Sequence, residues 1–217
     1  MSVTFEPGLL RAYFVAGSQD VPGQDLRDVL AKMLAAGITA FQFRDKATST
    51  LTPAQRLALG RDLRAQCRAA NVPFIVDDDV DLALALDADG IHVGQSDQRI
   101  QQVIQAVAGR NIFVGLSCST MAEVTAANAI AGIDYLGSGP IFPTTSKADA
   151  DPVVGIAGLQ KLVAQSRVPV VAIGGVTVDS LPAIAETGAA GVAVITLLTH
   201  SHDADGDTAA MRQAFSK

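Results

Sequence analysis

The sequence predicts an eight-stranded parallel barrel with a helix after each strand, a (β/α)8 or TIM barrel, and three observations carry that expectation. Short apolar runs alternate with longer amphipathic stretches along the whole 217-residue chain, with no linker and no break in composition. The runs are continuous rather than alternating with polar residues, which is how strands covered on both faces read. A doubly wound open sheet is the alternative, but a dinucleotide-binding sheet carries GxGxxG after its first strand, and none stands there. The nearest approach, Gly137-Ser138-Gly139-Pro140-Ile141-Phe142, lacks the third glycine and puts proline where a helix would open. One barrel domain over residues 1–217 is therefore expected.

The first strand is expected at Ala12–Val15, before a helix over Asp25–Ala36 that sets Leu26, Val29, Leu30 and Met33 on one face. Ala40–Phe43 is the second strand, and Pro53–Ala70 the second helix, with Leu57, Leu63 and Cys67 at helical spacing. Pro73–Val76 and Gly90–Val93 read as the third and fourth strands. Between them, Asp77-Asp78-Asp79 is placed to cap a helix opening at Val80, because carboxylates favour a helix N-terminus. Ile112–Leu116 and Tyr135–Gly137 supply the fifth and sixth strands, around a helix over Met121–Ala131. A helix over Leu159–Gln165, a seventh strand at Val170–Ile173, a helix over Ser180–Glu186 and an eighth strand at Gly191–Val194 follow. The stretch HSHDADGD at 200–207 reads as a surface loop, with a metal site at His200 and His202 the weaker alternative, before a last helix over Thr208–Phe215.

Composition excludes several classes of function. The chain has 16 Lys and Arg against 22 Asp and Glu, a net charge of −6, no Trp and 5% aromatic residues. A nucleic-acid binder needs a basic footprint and usually aromatic platforms, so no nucleic-acid partner is expected. Cys67 and Cys118 form no CxxC pair, which leaves zinc and redox motifs unsupported. The N-terminal stretch lacks a positively charged segment and Arg11 interrupts its apolar run, making a poor signal peptide. Val168–Ile173 and Gly191–Leu198, the most apolar segments, are too short to span a bilayer. A cytoplasmic protein without membrane contact is the expectation.

In a barrel, chemistry gathers where the strands end, because the βα loops converge on one face. Strand 2 ends in Gln42-Phe43-Arg44-Asp45-Lys46, and the loop after strand 6 carries Thr144-Thr145-Ser146-Lys147. Arg44, Lys46 and Lys147 thus supply three cations at the ends of two strands. Asp78 and Asp97 end adjacent strands, so both carboxylates could reach one Mg²⁺, which takes one or two carboxylates plus phosphate oxygens. Gly174-Gly175 and Ile195-Thr196 end strands 7 and 8, where barrels commonly bind a phosphate through backbone N–H groups. Two anionic groups are implied: a metal-bound diphosphate toward strands 2–5 and a monophosphate toward strands 7–8. Taken singly these features are bland: Arg44 and Lys46 as a solvated turn, Gly174-Gly175 as a tight corner, His92 as a hydrogen-bonded core residue. Their conjunction is not.

From Ala12 to Leu198 the chain resembles the thiamine phosphate synthase (thiamine-phosphate pyrophosphorylase) family. The matching strings are QFRDK at 42–46, DDDVDLA at 77–83, DGIHVGQSD at 89–97, GPIFPTTSK at 139–147, AIGGV at 172–176 and GVAVIT at 191–196. The resemblance implies a Mg²⁺-dependent transferase that joins an aminopyrimidine diphosphate to a thiazole phosphate, releasing pyrophosphate and forming thiamine phosphate. It implies a dissociative route in which a pyrimidine methyl cation is captured by the thiazole nitrogen. No general base is then needed, and the site acts by stabilising charge and aligning the two rings. By position, Gln42, Arg44, Lys46, Asp77, Ser117 and Lys147 would bind the pyrimidine diphosphate, with Arg44, Lys46, Ser117 and Lys147 carrying catalysis. Asp78 and Asp97 would hold Mg²⁺, and Thr144, Thr145, Ser146, Gly175, Ile195 and Thr196 would receive the thiazole phosphate.

Several positions depart from the family pattern, Cys118 and Ser119 among them. Asp45, Ser146 and Thr196 replace Glu, Thr and Ser, keeping a carboxylate or a hydroxyl. Asp77 replaces an Asn, which removes two donors and adds a negative charge beside the diphosphate. A related thiazole tautomerase barrel, or a catalytically silent barrel that binds thiazole phosphate, are the alternatives. The former is expected to lack much of the charge set present here, and Asp77 is the main support for the latter. The partners expected are small-molecule substrates, with homo-oligomer formation left open, and Thr144–Asp151 (TTSKADAD) is the segment expected to close as a lid.

Overall fold

The structure, a computed structural model, describes residues 3–46, 48–95, 99–144 and 152–216. Eight strands close into a barrel in the order β1 to β8, each parallel to its neighbours. They are β1 (Ala12–Ala16), β2 (Ala40–Phe43), β3 (Phe74–Asp77), β4 (Gly90–Val93), β5 (Phe113–Ser117), β6 (Tyr135–Ser138), β7 (Val170–Ile173) and β8 (Gly191–Val194). The helices of the described residues are α1 (Leu26–Ala36), α2 (Pro53–Ala70), α3 (Val80–Ala85), α4 (Ile100–Val107), α5 (Met121–Ala127), α6 (Gly155–Gln165), α7 (Leu181–Glu186), α8 (Thr196–Thr199) and α9 (Ala204–Ala214). No helix among the described residues is long and apolar enough to cross a membrane.

Strand alternation divides the apolar residues into two shells. Phe14, Phe41, Val76 and Leu136 face outward and pack with Leu30, Leu63 and Leu159 of the surrounding helices. Tyr13, Val15, Ala40, Ile75, Phe113, Tyr135, Val171 and Ala193 face inward. Phe5 closes the lower end, its ring centroid 5.4 Å from that of Phe113 and 5.8 Å from that of Tyr135.

That lower rim is pinned by a repeated device. The residue just before β2, β4 and β6 accepts on its side chain a backbone N–H from the start of the preceding strand, the first residue in β1 and β3 and the second in β5. Thr39 Oγ1 accepts from Ala12 N at 2.8 Å, Asp89 Oδ2 from Phe74 N at 2.8 Å, and Asp134 Oδ2 from Val114 N at 2.7 Å. Asp89 is also paired with Arg64, Nη2 to Oδ1 at 3.0 Å, and both side chains are largely out of water. Orphaned N–H groups at a strand start are costly inside a protein, so these side chains hold the register that the upper rim inherits.

The structure corrects several helix boundaries. Helix α5 stops at Ala127, not Ala131, because Asn128 turns away to join the α6–β7 turn, donating to Gln165 O and accepting from Arg167 N. Helix α6 opens at Gly155, four residues earlier than expected. Helix α4 was not anticipated, although Ile100, Val103, Ile104 and Val107 carry the spacing of an amphipathic turn. The expected loop at 200–207 is half helix: Asp203 caps α9 by accepting from Gly206 N at 3.0 Å, and Asp205 and Asp207 lie in its first turn, where acidic side chains suit the helix dipole. No metal cluster forms there among the described residues.

Two outcomes follow for stability. Asp89→Ala strands Arg64 and the Phe74 N–H, and is expected to cost about 3–5 kcal/mol in urea unfolding; a loss under about 1 kcal/mol would contradict the rim argument. Burial raises the Asp134 carboxyl above its ordinary value, against the lowering effect of the Val114 N–H. Its contribution to stability is therefore fully present below its unfolded pKa and lost as pH rises through its folded one. Asp134→Asn keeps an acceptor for that N–H, so the variant should gain on the parent as pH climbs through and just above the carboxylate range, and a difference flat with pH would refute this.

Candidate functional site

The upper ends of β2 and β3 assemble a charged wall. Alternation along β2 and its continuation turns Gln42, Arg44 and Lys46 toward the same side, beside Asp77 and Asp78 at the end of β3. The Lys46 ammonium lies 2.6 Å from Asp77 Oδ2 and also bonds Asp78 Oδ2, while Arg44 Nε is 3.6 Å from Asp77 Oδ2. Asp77 is almost wholly buried. Burial and the charge of Asp78 push its carboxyl up, and Lys46 and Arg44 pull it back. Burial opposes the charge on Lys46, but the two carboxylates win and hold its ammonium above the ordinary value. Asp78 has φ +59°, a left-handed conformation unusual outside glycine, and its N–H bonds His92 O at 2.8 Å. That turn is what brings the Asp78 carboxylate back to Lys46.

The three consecutive aspartates have different jobs. Asp79 does cap α3, accepting from Leu82 N at 2.9 Å, and pairs with Arg56 Nη1 at 2.7 Å. Asp77 and Asp78 do not; they face Lys46. Asp45 turns away from the wall and accepts from Ser18 N and Oγ at 3.1 and 2.6 Å, tying the β1 and β2 loops together. Gln19, which sequence reasoning passed over, steadies the same backbone: Nε2 donates to Arg44 O at 2.7 Å, and Oε1 accepts from Lys46 N at 3.3 Å. Nothing in the residue types around Gln19 announces this.

Below the wall, a file of hydrogen bonds crosses the barrel. Gln42 Nε2 donates to Tyr13 Oη at 2.7 Å, and Tyr13 Oη bonds Tyr135 Oη at 3.0 Å. Tyr135 Oη bonds His92 Nδ1 at 3.0 Å, and His92 Nε2 bonds Ser117 Oγ at 3.0 Å. His92 is thus the hydrogen-bonded interior residue expected. Burial raises both phenols well above their ordinary value, so each keeps its proton. Gln95 Nε2 donates to Ser117 O at 2.6 Å. Cys118 belongs to the helix-facing shell, where burial pushes its thiol up to about 12, and Gln95 Nε2 reaches its Sγ at 3.5 Å.

On the other side, Gly174 and Gly175 have φ +94° and +66°. A Cβ on Gly175 would sit 2.6 Å from Pro143 O, so this corner admits only glycine beside the 139–144 loop. Ile195 and Thr196 open α8 across from it, with Thr196 exposed. Thr144 is described at the end of the 139–144 loop, half-buried. Asp97, Thr145, Ser146, Lys147 and all of the expected lid but Thr144 lie outside the described residues. The structure therefore brings Gln42, Arg44, Lys46, Asp77, Asp78 and Ser117 to one end of β2–β5, with Gly175, Ile195 and Thr196 at the same end of β7 and β8.

Asp77 and Asp78 offer hard carboxylate oxygens at this rim, a donor chemistry that suits Mg²⁺. Among the described residues no group of three or more His, Cys, Asp and Glu side chains converges.

Residues 12–198 match the family described as thiamine monophosphate synthase. A thiamine-phosphate synthase of Levilactobacillus brevis is 96% identical over 217 residues, the full length of both chains. One of Lactiplantibacillus plantarum is 65% identical, covering 99% of this chain and 98% of that protein. Among solved structures, the thiamine phosphate pyrophosphorylase from Pyrococcus furiosus matches with a TM-score of 0.82 at 33% identity, covering 97% of each chain.

Proposed function

The chain belongs to the thiamine monophosphate synthase family and is an enzyme of the transferase class, and on that premise we propose that it joins an aminopyrimidine diphosphate to a thiazole phosphate. The observation that carries this reading is the convergence of Arg44 and Lys46 on the mouth of the barrel, above Gln42 and beside the β3 carboxylates. A diphosphate needs such a concentration of cations, and a net charge of −6 means that it must be local.

The course of the reaction is the one that the family resemblance implies. The bond between the pyrimidine methylene carbon and the diphosphate oxygen breaks, and its electron pair leaves with pyrophosphate. The remaining pyrimidine methyl cation is captured by the thiazole nitrogen, which supplies both electrons of the new C–N bond. Arg44, Lys46 and Lys147 bind the departing oxygens, and Ser117 adds a hydroxyl. Asp78 and Asp97 would hold Mg²⁺, which when bound would supply positive charge to offset that of the leaving group. Gln42 orients the pyrimidine. Thr144, Thr145 and Ser146, with the amides of Gly175, Ile195 and Thr196, hold the thiazole phosphate so that its ring nitrogen faces the cation. Asp77 competes with the diphosphate for Lys46 and Arg44, a cost that the family's usual Asn does not impose.

Mixing both substrates with Mg²⁺ should release pyrophosphate and thiamine phosphate in equal amounts. Thiazole phosphate binding without product at any Mg²⁺ concentration would replace this reading with a silent binding barrel. Asp97→Ala is expected to lower turnover on the order of 100-fold while leaving thiazole phosphate affinity within about twofold; equal loss of both would break the two-sided site. Asp77→Asn should leave kcat/KM for the diphosphate unchanged or raise it by up to about tenfold, and abolished activity would show instead that the enzyme depends on the carboxylate.

A further inference from the structure

Five polar side chains run in single file through an otherwise apolar barrel interior, from Gln42 on β2 through Tyr13, Tyr135 and His92 to Ser117 on β5. Tyr13 and Tyr135 are both essentially without solvent contact. Two phenylalanines would fill the same space without hydroxyls that must be satisfied, so the hydroxyls call for an explanation. The space itself is made for this contact. A Cβ on Gly115 would stand 2.2 Å from Tyr135 Cζ and 2.5 Å from His92 Nδ1. Gly115 pairs with His92 on one side and Tyr135 on the other, so the missing side chain is what lets ring meet ring across β5.

Counting hydrogens gives the file a direction. Tyr13 accepts from the Gln42 amide N–H, so its single hydrogen goes to Tyr135. Tyr135 has received one and passes its own to His92 Nδ1; were Nδ1 protonated, the buried Tyr135 hydrogen would have no acceptor. His92 then carries its hydrogen on Nε2 and donates to Ser117 Oγ, which leaves the Ser117 hydrogen free to point outward. In the opposite arrangement, with the Gln42 amide turned over, the three hydroxyls are rotated and His92 carries its hydrogen on Nδ1, the other neutral tautomer, so that Ser117 gives its hydrogen inward and presents a lone pair instead. Toward a departing diphosphate the first state attracts and the second repels.

We propose that Tyr13, Tyr135 and His92 are positioning residues that transmit the amide orientation of Gln42 to the Ser117 hydroxyl, so that recognition of the pyrimidine substituent sets the donor that meets the leaving group. This rests on the reading that Gln42 faces the pyrimidine and Ser117 the diphosphate. With its nitrogen on Tyr13, Gln42 keeps its carbonyl for the substrate, and a ring amino group donates to a carbonyl. An analogue carrying oxygen in place of that amino group turns the amide over and reverses the file. The file makes the ring substituent a determinant of turnover as well as of affinity.

The test compares the aminopyrimidine diphosphate with its oxo analogue, each with thiazole phosphate and Mg²⁺. The parent protein should favour the amino substrate in kcat by at least about tenfold. Ser117→Ala, at the less buried end of the file, should shrink that kcat ratio by at least about threefold, leaving the part that comes from the amino group's own stabilisation of the cation. Tyr135→Phe should lower kcat for the amino substrate about tenfold with KM changed less than about twofold, and should add almost nothing in the Ser117→Ala background. Tyr13→Phe serves as the same cut one bond earlier if Tyr135→Phe does not fold. Equal kcat for the two substrates in the parent, a kcat ratio undiminished in Ser117→Ala, or additive losses in the double variant would each overturn the proposal. Absence of any product with the parent protein would instead defeat the functional reading beneath it.

Discussion

Closing eight parallel strands forces every second side chain into one shared interior, and whatever is polar there must be satisfied by what else is there. The molecule is layered by that constraint. The lower rim satisfies strand starts with Thr39, Asp89 and Asp134. The floor is apolar, closed by Phe5 on Phe113 and Tyr135. The middle holds the hydrogen-bonded file from Gln42 to Ser117, and the upper rim carries the charged wall. The polar groups at mid-height need a rigid frame, since a phenol displaced by an ångström loses its partner on both sides.

The balance of charge at the mouth is close. Two cations on the β2 side meet two carboxylates on β3, so the ligand-free wall is nearly neutral among the described residues. Under the proposed function this reconciles an acidic chain with anionic substrates. The carboxylates hold the cations in place as ion pairs, and under the proposed function a diphosphate arriving with a divalent cation would exchange one set of ion pairs for another. Asp77 shifts this balance toward the ligand-free arrangement, since it is nearly buried and an Asn would leave Lys46 to Asp78 alone.

The strands were legible because barrel strands are short, apolar and bounded by turns, and the structure moved none of their ends by more than one residue. The helices were less so. Helix α4 shows only two turns of pattern among glutamines, and α9 opens among aspartates and a glycine that also suit a loop. Asn128 ends α5 by bonding to a segment nearly forty residues away, which no local pattern contains. At the site, Gln42, Arg44 and Lys46 stood out as charged or polar residues at a strand end. Tyr13, Tyr135 and Gln19 did not, because an inward tyrosine reads as core and a loop glutamine as solvent-facing until the distant partner is known.

The order of residues by itself determined the barrel, the end of it where chemistry gathers, and the identities of the charged groups there. These depend on strand alternation, on turn chemistry, and on the rule that βα loops share one face. Only the tertiary structure decided which of three consecutive aspartates caps a helix and which two face Lys46, because the left-handed turn at Asp78 reverses the direction in which the side chains point. It likewise decided that Tyr13 and Tyr135, 122 residues apart, share a hydrogen bond. Contacts of that kind are set by barrel closure, which brings β1 beside β8 and within reach of β6, and closure is a property of all eight strands together.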